Sequence, residues 1–198
     1  MRVLCFGGSF NPIHHGHLIC ARAAAEAGGF DRVVLIPTAQ PPHKPNSSDL
    51  APASDRLEMC RLAALGGDLF VVDDIETKTF GPNFTFDTAA QLKLRGWREV
   101  HWLIGGDMLM YLPKWHRVAE LIHQVSLVVM ARPGTALDWG SLPPDLRFLA
   151  DHVVPTPLID ISASEIRRRV AAGLSIDYLC PPAVCEYIHR RGLYRCRL

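Results

Sequence analysis

The chain has 198 residues, 48% of them hydrophobic, which is enough to bury a core of its own and is most simply one domain, 1–198. Its formal net charge of +1 gives no broad basic surface, so nucleic acid and anionic membrane are excluded as partners. No apolar run approaches membrane-spanning length, a strand at the very start leaves no place for a removable signal peptide, and Cys5, Cys20, Cys60, Cys180, Cys185 and Cys196 form no CxxC pair, so reduced thiols and a cytoplasmic location are expected.

The apolar run 3–6 breaks into Gly7-Gly8 and reads as a buried strand ending in a tight turn. After Gly16 an alanine-rich stretch reads as a helix stopped by Gly28-Gly29. Strand, turn and helix N-terminus together make an anion site. The N–H groups of the first helical turn have no partner within the helix, and the helix dipole favours a phosphate there. His14 and His17, three residues apart, share one side of that turn, so the pattern predicts a phosphate site with two histidines aimed at it. His15 points elsewhere on the helix.

Further along, apolar runs at 33–36, 69–72, 100–104, 125–130 and 152–154 alternate with helical segments at 54–65, 84–95, 115–123 and 164–172. Continuously apolar strands alternating with helices predict an α/β fold, a doubly wound parallel sheet that binds its ligand at the carboxyl ends of the strands. Residues 37–52, with five prolines, and 134–144 read as loops, natural places for binding groups on such an edge. The adjacent Asp73 and Asp74 point to opposite faces of a strand, which argues against a shared metal. Behind Pro181-Pro182, an amphipathic segment at 183–191 is expected to dock Val184, Tyr187 and Ile188 on the body of the protein. Ser162 with Glu165 three residues on forms the pattern of a capping box.

Two motifs carry a family resemblance. Gly8-Ser9-Phe10-Asn11-Pro12-Ile13-His14-His15-Gly16-His17 resembles the G-x-F-x-P-x-H-x-G-H signature of the nucleotidyltransferase superfamily, and Ile161-Ser162-Ala163-Ser164-Glu165-Ile166-Arg167 resembles its second signature, I-S-S-T-x-I-R. The segments at 41–44, 81–88, 104–108 and 112–116 narrow the match to bacterial nicotinate mononucleotide adenylyltransferases, over about Val3 to Tyr194. The resemblance implies a Rossmann-like nucleotidyltransferase fold and adenylyl transfer from ATP to nicotinate mononucleotide in NAD biosynthesis. Nicotinate adenine dinucleotide and pyrophosphate would be the products. The substrate's own phosphate would be the nucleophile, with no covalent enzyme intermediate. Mg²⁺ would arrive with ATP, held by phosphates and water, and no metal ligand is expected from the protein.

The same resemblance assigns catalytic roles to His14, His17, Lys44 and Arg167. It places Gly8, Ser9, Phe10, Gly105, Asp107, Ile161 and Ser162 with His14, His17 and Arg167 at ATP, and Lys44, Thr85, Trp115 and Arg132 at the mononucleotide. Arg168 and Arg169 are left as a solvated face. Ala163 and Ser164 depart from the family's Ser-Thr, and Phe84 stands where a Tyr is common. Pantetheine-phosphate adenylyltransferase and the cytidylyltransferases share both signatures but lack the segments 81–88 and 112–116 as they stand here. A nucleotide-sensing binding protein would keep the pocket without turnover, yet both histidines and Arg167 are present. Nothing in the sequence reveals the oligomeric state.

Overall fold

A computed structural model describes residues 1–41, 49–79, 81–131 and 137–195. Six strands, β1 (Val3–Gly8), β2 (Arg32–Pro37), β3 (Phe70–Val72), β4 (His101–Gly105), β5 (Ser126–Ala131) and β6 (Val153–Pro155), form one parallel sheet in the order β3-β2-β1-β4-β5-β6. The helices are α1 (His15–Gly28), α2 (Ala53–Ala64), α3 (Thr85–Leu94), α4 (Gly106–Leu109), α5 (Val118–Gln124), α6 (Ala163–Ala171) and α7 (Pro182–Arg191). Among the described residues, no helix is long and apolar enough to cross a membrane.

Both faces of the sheet are covered, which is why its strands are apolar throughout. Leu4, Phe6, Val33, Leu35, Leu103 and Val128 enter one core together with residues of α1, α2, α6 and α7. Their neighbours Cys5, Val34, Ile36, Trp102, Ile104 and Val129 enter the other, with α3 and α5. The doubly wound α/β sheet expected from the apolar pattern is therefore the observed one.

The strand order reverses between β1 and β4, and the register shows what this does to the carboxyl edge. β1 pairs with β2 along its whole length, from Val3 with Arg32 to Gly8 with Pro37. It pairs with β4 only at Leu4 with His101 and Cys5 with Trp102. Beyond Cys5 the two central strands part and leave a crevice. The indole of Trp102 lies against Gly7, where a Cβ would sit 2.6 Å from the ring, so glycine is needed at that contact.

Two local expectations need correction. Segment 115–123 is helical only from Val118, because Trp115 is extended and Arg117 takes a left-handed conformation with φ of 53°. The capping box at α6 is half formed. Ser162 accepts the Glu165 N–H at 3.2 Å, but the Glu165 carboxylate turns forward to Arg168, with two bonds of 2.7 Å. A charge-assisted pair with the guanidinium displaces the return bond to the backbone.

Candidate active site

The turn after β1 is built so that two rings share one small space. His14 precedes α1 and His17 lies in its first turn; their rings stack with centroids 3.7 Å apart and planes at 28°. The His14 backbone N–H donates to His17 Nδ1 at 3.3 Å. With Nδ1 accepting, a neutral ring carries its proton on Nε2. Gly16 makes the stack possible. A Cβ there would lie 3.0 Å from His14 Nδ1 and 3.3 Å from the Ile161 carbonyl, so the first motif and the second close on one another at this residue.

Phe10 supports this arrangement from behind. It is 3% exposed, has a left-handed φ of 44°, and sets its ring edge-on to Phe6 at 5.4 Å and to His17 at 5.2 Å. Such a backbone costs about 1–2 kcal/mol for a residue with a Cβ. The Phe10 ring, in the residue that the motif places at ATP, lies in the core against the His17 ring.

Two cavities open at the carboxyl edge. The larger, about 670 Å³, is lined by His14, His17, Gly105, Asp107, Ile161 and Ser162 among others. The smaller, about 280 Å³, has Gly8, Ser9, Thr85, Lys114 and Trp115 in its wall. Phe6, Gly105 and Met108 border both, so the two spaces adjoin over the crevice between β1 and β4. Of the residues expected at ATP, His14, His17, Gly105, Asp107, Ile161 and Ser162 line the larger cavity, whereas Gly8 and Ser9 line the smaller one beside Thr85 and Trp115, and Phe10 lines neither.

Arg167 belongs to neither lining. Its Nε and Nη2 donate to Asp49 Oδ2, and its Nη1 donates to the Asn11 carbonyl at 3.0 Å. A guanidinium brings five donors that need acceptors, and here Asp49 and the turn supply them. Lys44 and Arg132, together with His43, lie outside the described residues. Arg168 pairs with Glu165, and Arg169 donates to the Ser175 carbonyl. Asp73 is paired with Arg95 and Asp74 with Lys78, so each of these acids has a cationic partner of its own.

Four residues emerge only from the structure. Asn11 ties distant segments together: its Nδ2 donates to the Asp49 carbonyl at 2.9 Å, and its Oδ1 accepts from the Ala51 N–H at 3.0 Å and the Tyr194 hydroxyl at 2.8 Å. Its place inside the first signature was the only available signal. Arg56 is buried beneath the Ser9 turn. Lys114 brings a cation to the smaller cavity. Glu76, 4% exposed, stands in the same wall and accepts from Thr88 Oγ1 at 2.7 Å. Burial pushes the Glu76 carboxyl above its ordinary value, opposed by the Thr88 and Thr38 hydroxyls, which favour the charge.

The sequence profile of cytidylyltransferase-like proteins matches residues 5–169, a span that contains both motifs and both cavities. The chain belongs to the cytidylyltransferase-like family. Relatives in this family include a protein of Gloeobacter violaceus, named "probable nicotinate-nucleotide adenylyltransferase", which is 41% identical over 98% of this chain and 96% of its own length. One from Dehalococcoides mccartyi with the same name is 40% identical over 95% and 94%. The cytidylyltransferase-like fold is shared with Plasmodium falciparum nicotinic acid mononucleotide adenylyltransferase. Its complex with APC superposes with a TM-score of 0.73 at 15% identity, over 98% of this chain and 96% of that one. Its complex with NaAD gives 0.71 at 16% identity, over 98% of each chain.

Proposed function

We propose that this protein is a nicotinate-nucleotide adenylyltransferase, one domain spanning 1–198, that joins ATP and nicotinate mononucleotide into nicotinate adenine dinucleotide with release of pyrophosphate. The observation that carries the reading is the pair of adjoining cavities meeting at the His14–His17 turn. The relatives' names and the two signatures point the same way. The larger cavity takes ATP and the smaller takes the mononucleotide, its pyridine ring against Trp115 and its carboxylate toward Thr85. The mononucleotide phosphate oxygen then attacks the α-phosphorus in line with the departing pyrophosphate. No side chain has to act as nucleophile, so the protein contributes position and charge stabilisation.

Each named residue has its part in that scheme. His17, through Nε2–H, and His14 donate to phosphoryl oxygens as negative charge builds. Gly8 and Ser9, which line the smaller cavity, supply backbone N–H groups to the mononucleotide phosphate, and the first turn of α1 supplies them to ATP, while Gly105 and Asp107 border the adenosine, and Ile161 and Ser162 bring the start of α6 to the phosphates. Arg167 releases Asp49 and turns its fork onto the triphosphate; Lys44 and Arg132 add further positive charge. Mg²⁺ would accompany ATP, held mainly by phosphate oxygens and water. The five buried free cysteines among the described residues suit a reducing cytoplasm.

The test is pyrophosphate release from ATP, followed with and without an acceptor. Release only when nicotinate mononucleotide is present supports the reading. Preference for phosphopantetheine, or for a cytidine nucleotide as donor, would replace it with another member of the family. Tight nucleotide binding without release under any acceptor would make the protein a sensor.

A further inference from the structure

α2 carries one arginine that faces inward. Arg56 has 0% of its surface exposed, although Glu58 and Arg61 on the same helix reach solvent. Its Nε donates to the Ala51 carbonyl at 2.9 Å, its Nη1 to the Ser9 and Thr38 carbonyls at 2.7 and 2.6 Å, and its Nη2 to the Ala39 carbonyl at 2.9 Å. Three stretches of chain therefore converge on one guanidinium: the turn after β1, the end of β2, and the approach to α2. Among the described residues, every hydrogen-bond acceptor it meets is a neutral carbonyl. Burial pulls its pKa below the ordinary arginine value, yet a guanidinium keeps its proton in a protein.

Burying a cation whose hydrogen-bond acceptors among the described residues are all neutral is unfavourable, and a neutral donor such as glutamine would join two of these segments without that penalty. The location supplies the reason for a charged fork. Ser9 and Thr38 both line the smaller cavity, and neither lines the larger one. The Thr38 N–H also donates to the Gly8 carbonyl at 3.0 Å, so the wall of that cavity is tied from two directions.

We propose that Arg56 is a positioning residue for the mononucleotide. It holds the Ser9 turn and the end of β2 at the separation the substrate needs, and its charge biases that wall toward an anion. The inference rests on the smaller cavity being the mononucleotide pocket.

The experiment is steady-state kinetics on Arg56→Lys and Arg56→Met, each with separate KM determinations for nicotinate mononucleotide and ATP. Lysine keeps a charge but has one nitrogen and cannot span four carbonyls; methionine keeps neither. The KM for the mononucleotide should rise about tenfold or more in both, further in Arg56→Met, while the KM for ATP stays within about twofold. KM does not depend on the amount of active enzyme, so a preparation in which only part of either variant folds still reports. Loss of active fraction or melting temperature with both KM values unchanged would reduce Arg56 to a structural strut and overturn the proposal. Equal rises for both substrates would overturn it too. Trp115→Ala separates the inference from its premise. If that change leaves the mononucleotide KM untouched, the pocket is misassigned; if it raises that KM and the Arg56 variants do not, only the role of Arg56 fails.

Discussion

Arg167 directs two of its nitrogens, Nε and Nη2, to a single oxygen of Asp49, at 3.0 and 2.5 Å. The arginine of the second motif is thus held by an internal carboxylate 118 residues away, beside the cleft rather than inside it. For Arg167 to reach a triphosphate this pair must open, and any ligand that needs the open form binds with an affinity reduced by the fraction that is open. Asp49 is 53% exposed, so solvent screens the pair and its worth is about 0–1 kcal/mol. Asp49→Asn is therefore expected to lower the KM for ATP by about two- to fivefold. Arg167→Lys should raise it, since the fork is lost, whereas Arg168→Lys on the same helix should do little. An ATP KM that rises in Asp49→Asn would show that the carboxylate aligns Arg167 for the nucleotide and does not compete with it.

His17→Ala is expected to lower kcat by about 10²–10³, the usual loss when one preorganised donor to a developing oxyanion is removed. The fold should survive, because the ring's neighbours Phe6 and Phe10 pack in a core that extends well beyond it. Turnover measured beside a thermal melt decides between the readings. A normal melting temperature with near-normal kcat would remove His17 from the chemistry.

The parts of the site that sequence exposed are the local ones. His14 is the extended residue that caps α1 and His17 is the third residue of its first turn, so the three-residue spacing brings their rings together, and Gly16 between them leaves room for the stack. The alternation of apolar runs and helical segments likewise dictates a covered parallel sheet. What sequence hid depends on contacts between distant segments. Arg56 meets Ser9 and Thr38 across 47 and 18 residues, and Asn11 meets Tyr194 across 183, so no periodicity marks either. Within α2 an arginine in the run Asp55-Arg56-Leu57-Glu58 looks like a solvent-facing residue, and only packing turns it inward. The start of α5 is hidden in the same way: Arg117 takes a left-handed backbone before Val118 and lays its guanidinium 4.0 Å over Phe86, a contact 31 residues away that no local pattern marks. The Phe10 ring packs on Phe6 and His17, a role that its motif position does not disclose.

The pyridine pocket makes a prediction about acid and amide. In the proposed placement Trp115 lies against the ring and Thr85 with its neighbouring backbone N–H groups surrounds the carboxylate, so that nicotinate would offer an acceptor at both oxygens. A carboxamide turns an NH₂ toward at least one donor, and a buried donor left without a partner costs about 1–3 kcal/mol. That corresponds to roughly 10–100-fold in kcat/KM in favour of the acid. Thr85→Val should lower kcat/KM more for the acid than for the amide, while Trp115→Ala should lower both. Equal kcat/KM for the two mononucleotides in the unaltered protein would dismiss this account of specificity and leave adenylyl transfer intact.

Glu76 makes the stability of the fold depend on pH in a direction opposite to that of most carboxylates. Burial raises its folded pKa above the ordinary glutamate value near 4.5, and the hydroxyls of Thr88 and Thr38 only partly offset this. Below the unfolded value both states hold the proton and the group contributes nothing. Between the unfolded and folded values the native protein keeps a proton that the unfolded chain has lost, so stability falls as pH rises. Above the folded value the loss is complete and constant. Glu76→Gln keeps the shape and an acceptor for Thr88 but cannot ionise, so its stability should lack this decline. The difference between the two proteins isolates the group, because all other carboxylates and histidines contribute equally to both. Melting temperatures measured from about pH 4.5 upward should diverge in favour of the glutamine variant, by about 2–4 °C for each kcal/mol at this chain length. Parallel curves would mean that Glu76 ionises in the fold as readily as in water, with its charge balanced by groups beyond Thr38 and Thr88.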